Sequence, residues 1–310
     1  MGGVAAVGCG PWLTPIPTYW EANDVRVRGE EGQTPVVAIE ATPALSTPSA
    51  VPPLERPAPV SCTAVYLVSE ENKLLAYHPD EGAIDERGTL ACPASFGTPS
   101  SMAVGRDGLA HVLYTSGELF EVDLGDAACR RLPYDASVAP HYRRFGMGYG
   151  LDADGQEALF VAEISRLAPS RGLARIDPES GAIEVVGRFS ENPGYGIELT
   201  PGEDGALYGY FIDAPGPGGT LVKIDPATAA IERSWKIPVG HFNAAFAVAW
   251  WRSAFYLFTS QPHDRAVTDI HRYDAKRDRV EKAGELQLQV VGASVSTCAP
   301  SRHVKAAAAH

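Results

Sequence analysis

One short pattern recurs five times, and it limits what this chain can fold into more than any other feature. Lys73-Leu-Leu-Ala-Tyr-His-Pro79, Glu118-Leu-Phe-Glu-Val-Asp-Leu124, Gly172-Leu-Ala-Arg-Ile-Asp-Pro178, Thr220-Leu-Val-Lys-Ile-Asp-Pro226 and Asp269-Ile-His-Arg-Tyr-Asp-Ala275 begin 45, 54, 48 and 49 residues apart. In each, apolar and polar residues alternate, and then Asp (His78 in the first copy) opens a turn. Alternation with period two is the mark of a half-buried strand. A turn and a second alternating run follow most copies, for example Glu179-Ser-Gly181 before Ala182-Ile-Glu-Val-Val-Gly-Arg-Phe189. The pair reads as a hairpin, strands C and D of a unit. Two further runs precede C in most units, as in Ser101-Met-Ala-Val104 and Leu109-Ala-His-Val-Leu-Tyr114 around Gly105-Arg-Asp-Gly108. These are strands A and B. Four antiparallel strands every 48 residues or so predict propeller blades rather than a solenoid or a sandwich.

The ends of the repeat region complete each other. Cys62-Thr-Ala-Val-Tyr-Leu-Val68 reads as a B strand with no A strand before it. Val290-Val-Gly-Ala-Ser-Val-Ser-Thr-Cys298 reads as an A strand with no B strand after it. The expected fold is therefore an all-β, five-bladed β-propeller of four-stranded antiparallel blades over residues 61–300, with the first blade closed by the C-terminal strand. Closure removes the open sheet edges at which a ring would start and stop.

The cysteines fit this ring. Cys298 ends the orphan A strand and Cys62 starts the orphan B strand, so a bridge between them would stand in for the missing turn. Cys92 follows the first D strand and Cys129 lies in the second. Four cysteines allow three pairings. The expected one is Cys62–Cys298 with Cys92–Cys129, and disulfides imply an oxidising compartment.

Phe145-Gly-Met-Gly, Ser101-Met-Ala-Val and Val291-Gly-Ala-Ser-Val-Ser-Thr-Cys-Ala-Pro300 together resemble a group of predicted bacterial lipoproteins with β-propeller repeats. The resemblance covers about residues 61–300 and implies export and a propeller. It carries no catalytic residues to this chain. Near the start, Ala6-Val7-Gly8-Cys9 has the small-residue pattern of a lipobox, without a basic segment before it and with a short apolar stretch. Cys9 is the expected site of lipidation, in a truncated lipoprotein signal over residues 1–9. Residues 10–60 hold ten prolines and read as an extended, disordered linker, and 301–310 as a disordered tail.

A net charge of -12, with no cluster of Lys and Arg, argues against a nucleic-acid surface. No apolar run reaches the ~20 residues of a membrane-spanning helix. The membrane is therefore reached through the lipid anchor alone, and the chain is expected at the outer membrane, periplasm or cell surface.

In a propeller the A–B and C–D turns share one face, and the B–C and D–A connections share the other. Here the first set is short. The second holds the long segments: residues 134–144, 163–171, 212–219, 238–244 and 260–268. Long connections grouped on a rigid scaffold favour binding there. The candidate ligand-binding residues are His141, Tyr142, Arg143, Arg144, Tyr195, Glu198, His241 and Asn243. His141-Tyr-Arg-Arg144 mixes aromatic and basic groups suited to a carboxylate or a sugar, or is simply a solvated loop. Trp250 and Trp251 would offer a sugar platform, or one fills the core and the other covers a blade edge. Glu198 is the sole carboxylate on the A strands, too few for a calcium site. Asp152-Ala-Asp-Gly-Gln-Glu157 falls on a hairpin and reads as a turn. No metal or other cofactor is expected. Glu163 with Glu198 is a carboxylate pair by position only.

Three functions compete. The first is an envelope binding or interaction module for a glycan, peptide or protein. The second is a propeller hydrolase or lyase acting on a glycan or lactone, which would need Glu198, Glu163 or His241 perturbed inside a cleft. The third is a structural envelope scaffold, which would show an exposed apolar patch. Catalysis is the less favoured expectation.

Overall fold

A computed structural model describes Cys62 and residues 64–137, 139–164, 172–191, 194, 196–212, 218–239 and 245–299. Cys9, the segments 1–9, 10–60 and 301–310, and the candidates Tyr195, His241 and Asn243 lie outside the described residues.

The strands follow the repeat. The first unit holds β1 (Val65–Ser69), β2 (Lys73–His78) and β3 (Ala83–Thr89). The second holds β4 (Pro99–Val104), β5 (Leu109–Tyr114), β6 (Leu119–Asp123) and β7 (Cys129–Arg131). The third holds β8 (Phe145–Leu151), β9 (Glu157–Glu163), β10 (Leu173–Ile176) and β11 (Ile183–Gly187). The fourth holds β12 (Gly196–Pro201), β13 (Leu207–Ile212), β14 (Gly219–Ile224) and β15 (Ile231–Ile237). The fifth holds β16 (Ala245–Trp251), β17 (Ala254–Gln261), β18 (Asp264–Asp274) and β19 (Arg279–Leu286), and β20 (Val290–Ser294) ends the described strands.

The sheets run β20-β1-β2-β3, β4 to β7, β8 to β11, β12 to β15 and β16 to β19, each four-stranded and each in hairpin order. All their ladders are antiparallel. The chain is a five-bladed β-propeller. The last strand completes the first blade, with Tyr66 opposite Ser294, Leu67 opposite Ala293 and Val68 opposite Gly292. Cys62 and Cys298 are bridged, with Cα atoms 5.7 Å apart across 236 positions of sequence, and Cys92 is bridged to Cys129.

Apolar residues collect between blades, one cluster per junction. Tyr66, Val68 and Leu74 of the first blade meet Met102, Val112 and Phe120 of the second. On their other face Val65, Leu67 and Tyr77 meet Ala247, Ala249 and Phe258 of the fifth. This corrects the expectation of half-buried C strands. Leu74 to Tyr77 are all buried, and Leu119 to Val122 likewise, because a neighbouring blade covers each face. Only the outermost strands, β3, β7, β11, β15 and β19, meet solvent broadly.

The innermost strands each present one unpaired edge, whose buried amides need acceptors. Hydroxyls from adjoining blades supply them. Val104 N donates to Ser294 Oγ at 3.0 Å, Met147 N to Ser101 Oγ at 3.2 Å, Trp250 N to Thr200 Oγ1 at 3.2 Å and Val290 N to Thr268 Oγ1 at 3.0 Å. In the third blade the sequence Phe145-Gly-Met-Gly turns a bare side toward β12. A Cβ on Gly146 would lie 1.9 Å from Ile197 O, so only glycine lets the two strands approach this closely.

Residues 260–268, expected as a long loop, are mostly strand. β17 and β18 run on into a narrow hairpin, with Ser260 opposite Thr268 and Gln261 opposite Asp264. The cause is polar pairing inside the ladder: Ser260 Oγ and Thr268 Oγ1 lie 2.8 Å apart, and Thr268 Oγ1 donates to Leu288 O.

Removing the ring bridge with Cys62→Ser/Cys298→Ser is expected to cost about 5 kcal/mol, because a loop of this length is freed in the unfolded chain. Urea unfolding reads the difference, and a variant as stable as the parent would show that the strand pairing alone closes the ring.

Candidate functional site

The B–C and D–A connections around the second blade form a pinned rim. Residues 90–98 carry the chain from the first blade to the second, and four anchors hold them. Cys92 is tied to Cys129. Ser95 gives its backbone N–H to Glu118 at 2.8 Å and its hydroxyl at 2.7 Å. Gly97, with φ of +86°, sits against Thr115, where any Cβ would collide with Oγ1. Thr98 N donates to Thr115 Oγ1 at 3.1 Å, and Thr115 N to Thr98 O at 2.9 Å. Glu118 is the hub. It also accepts from Ser116 Oγ at 2.7 Å and pairs with Arg131. Burial raises the Glu118 pKa, but the hydrogen bonds from Ser116, Ser95 and Arg131 outweigh it and bring the carboxyl down to about 2.

On the far side of the 115–118 turn lies residues 132–144. Tyr134 Oη donates to Tyr142 O at 2.6 Å, and Tyr142 N to Ala139 O at 2.8 Å, which winds Pro140–Tyr142 into one 3-10 turn. The Tyr142 ring is buried in the cluster between the second and third blades, so of the His141-Tyr-Arg-Arg144 stretch only His141, Arg143 and Arg144 face solvent. Arg143 packs along Gly117, where a Cβ would lie 3.1 Å from its Cγ. Arg144 O accepts from Ile164 N at 2.9 Å, which fixes its backbone to the third blade.

Glu198 does not reach this rim. It is 2% exposed on β12, and its Oε2 accepts from Ser101 Oγ at 2.7 Å. Burial pushes its carboxyl well above the ordinary range, against the hydrogen bonds of Ser101 and the Met147 amide. A perturbed carboxyl is half of what a hydrolase reading asks for; among the described residues Glu198 is buried and opens on no cleft. Glu163, at the end of β9, is half-buried rather than sealed. Trp250 and Trp251 are 4% and 2% exposed and both pack into inter-blade clusters, so neither covers a blade edge; Trp251 reaches the surface only through Nε1, which donates to Asp80 at 3.3 Å.

With the strand order and the rim described, comparison with known proteins adds little. No protein-family model matches the chain, and no curated protein matches it. Similar solved structures include a Dos1 propeller, at 12% identity and TM-score 0.38, with 73% of this chain and 56% of that one covered. Another is hydrazine synthase of Kuenenia stuttgartiensis, at 13% and 0.36, covering 70% and 64%. A third is a structural-genomics protein of unknown function from Bacteroides thetaiotaomicron, at 14% and 0.38, covering 63% and 53%. The chain thus spans between half and two thirds of these chains. The propeller assignment rests on its own strand order.

Sequence reasoning missed two features. His111 on β5 is buried, with Nδ1 3.2 Å from Tyr149 Oη across the junction of the second and third blades. Burial, with a smaller push from Arg130, lowers its pKa to about 4, so the ring is neutral at pH 7. The cross-strand neighbour Glu121 is held by Arg130 through two hydrogen bonds of 3.0 and 2.8 Å. A polar residue on a strand read as half-buried gives no sign of being covered. The second is a cleft of about 470 Å³ on the opposite face, lined by His78, Asp80, Asp85, Trp251 and Arg252. Within it Arg252 pairs with Asp80 at 3.2 Å and His78 Nε2 lies 3.1 Å from Asp85, and Glu81 also lines it. Among the described residues no group of three or more His, Cys, Asp or Glu could hold a metal ion, and no helix is long and apolar enough to cross a membrane.

The two unusual carboxyls predict opposite pH behaviour. Glu118, depressed when folded, supports stability above pH about 4.5, and that support is lost as pH falls toward 2. Thermal melts should therefore show Glu118→Gln well below the parent at pH 7, with the gap closing between pH 4.5 and 2. Glu198, raised when folded, supports stability fully below about pH 4.5 and loses it as pH rises toward its folded value. Glu198→Gln should gain on the parent as pH rises above 4.5, and parallel pH profiles for the two proteins would contradict a buried neutral acid.

Proposed function

We propose that this propeller is an exported binding module, held at the cell envelope through a lipid on Cys9, and that it takes an anionic ligand on the rim that carries Arg143 and Arg144. The observation that carries this reading is electrostatic. In an acidic protein, most described arginines spend their charge on a neighbouring carboxylate: Arg106 on Glu157, Arg130 on Glu121, Arg131 on Glu118, Arg175 on Asp152 and Glu184, Arg252 on Asp80 and Arg272 on Glu281. Arg143 and Arg144 are consecutive and exposed, with no carboxylate partner among the described residues, and exposed His141 stands beside them.

Guanidinium groups recognise carboxylates by paired N–H donors, and hydrogen bonds at Tyr142 N and Arg144 O fix the backbone that carries them. The two disulfides support an oxidising, exported setting. The lipobox-like Ala6-Val7-Gly8-Cys9 and the proline-rich stretch after it supply the chemistry of an anchor and a tether.

Despite its net charge of -12, the protein should be retained on a carboxymethyl resin at low ionic strength. Arg143→Glu/Arg144→Glu should wash through with an unchanged melting temperature. Equal elution of the two would remove the arginines from the reading. Mass spectrometry of protein exported from its full gene should find acyl chains on Cys9, and an unmodified Cys9 thiol would remove the anchor.

A further inference from the structure

Phe96 sits at the head of the loop that the four anchors pin, and it is 61% exposed. Among the described residues the one other exposed large hydrophobic is Val185, on the outer strand β11 of the third blade. An aromatic ring left in water gains nothing for folding, and a chain that fixes it there has restricted it in advance. Cys92, Ser95, Gly97 and Thr98 flank Phe96 within seven positions, and each is tied down.

The ring also has a defined relation to the unpaired arginines. Gly97 abuts Thr115, and two residues along the same turn Gly117 abuts Arg143. Phe96 and Arg143 are thus carried by loops that flank one short turn. Arg131 also reaches the pinned loop, donating to Pro93 O, with its charge already committed to Glu118.

We propose that Phe96 is a stacking platform and that the ligand is an acidic polysaccharide laid across this rim, with the apolar face of one sugar ring on Phe96 and the carboxylates of neighbouring sugars on Arg143 and Arg144. The inference rests on the anion-binding reading above and narrows it to a ligand class. Three features select a polymer of this kind. The rim offers the ring and the cations on an open edge, where a flexible chain can lie. A protein partner would call for a buried apolar centre of several side chains, and among the described residues the one other exposed large hydrophobic, Val185, lies on the third blade. The charge is complementary, since the arginines have no carboxylate partner among the described residues.

The test measures binding of the full-length protein to polygalacturonate, with dextran as the neutral control and poly-glutamate as a polyanion without sugar rings. Wild type should prefer polygalacturonate to both. Phe96→Ala should weaken that binding about tenfold, as expected for loss of one aromatic contact worth ~1.4 kcal/mol. Phe96→Trp should keep it, and the melting temperature should hold in both variants. Arg143→Ala/Arg144→Ala should abolish binding to both polyanions. If that arginine variant loses binding while Phe96→Ala binds like wild type, the platform is overturned and the anion-binding reading stands. If poly-glutamate binds as tightly as polygalacturonate, the ligand class is overturned in favour of an acidic polypeptide. If wild type binds neither polyanion, both readings fall.

Discussion

The pairing of β20 with β1 is the contact on which the rest of this molecule depends. A ring of blades is stable only when every blade has a neighbour on each face, and the first blade exists only once the last strand has joined it. Ser294, Ala293 and Gly292 take their places opposite Tyr66, Leu67 and Val68, and that ladder puts Val290 and Ala293 into the apolar cluster shared by the first and fifth blades. The Cys62–Cys298 bridge ties the same two segments covalently where the other blades have a tight turn. Strand pairing supplies the register, the cluster supplies the apolar burial, and the disulfide keeps the ends together when the ladder opens.

Closure creates a second requirement at the centre. Five inner strands meet around one axis, each with an edge of unpaired amides, and water cannot serve groups that are buried. Ser101, Thr200, Thr268 and Ser294 accept those amides across blade boundaries, and Glu198 is drawn into the same network through Ser101. The glycines of Phe145-Gly-Met-Gly let β8 and β12 close in until no side chain fits between them. The inner strands are thus tied to one another by side-chain hydrogen bonds across the blade boundaries. The rim of the second blade differs from the turns on the other face in one physical respect. Asp80 and Asp85 each have a partner in reach, Arg252 and His78, whereas Arg143 and Arg144 have no carboxylate partner among the described residues.

The repeat of alternating residues was enough to read the number of blades, the strand order within each and the completion of the first blade, because hairpin order and hydrophobic alternation are local properties. The disulfide pairing followed from the same alignment, since Cys62 and Cys298 flank the point where the repeat is interrupted. Of the proposed site residues, Arg143 and Arg144 are exposed as their charge suggests. The burial of Tyr142, Glu198, Trp250 and Trp251 is not written in any local pattern, and neither is the exposure of Phe96.

What the sequence determined by itself is thus the propeller, its five blades and its closure, through short-range periodicity and the placement of four cysteines. Only the tertiary structure decided which faces of each strand meet water. Stacking one blade on the next covers both faces of the inner strands. A residue such as His111 or Glu198 then ends up sealed or solvated according to what the neighbouring blade places against it, and that neighbour lies roughly fifty residues or more away in the chain.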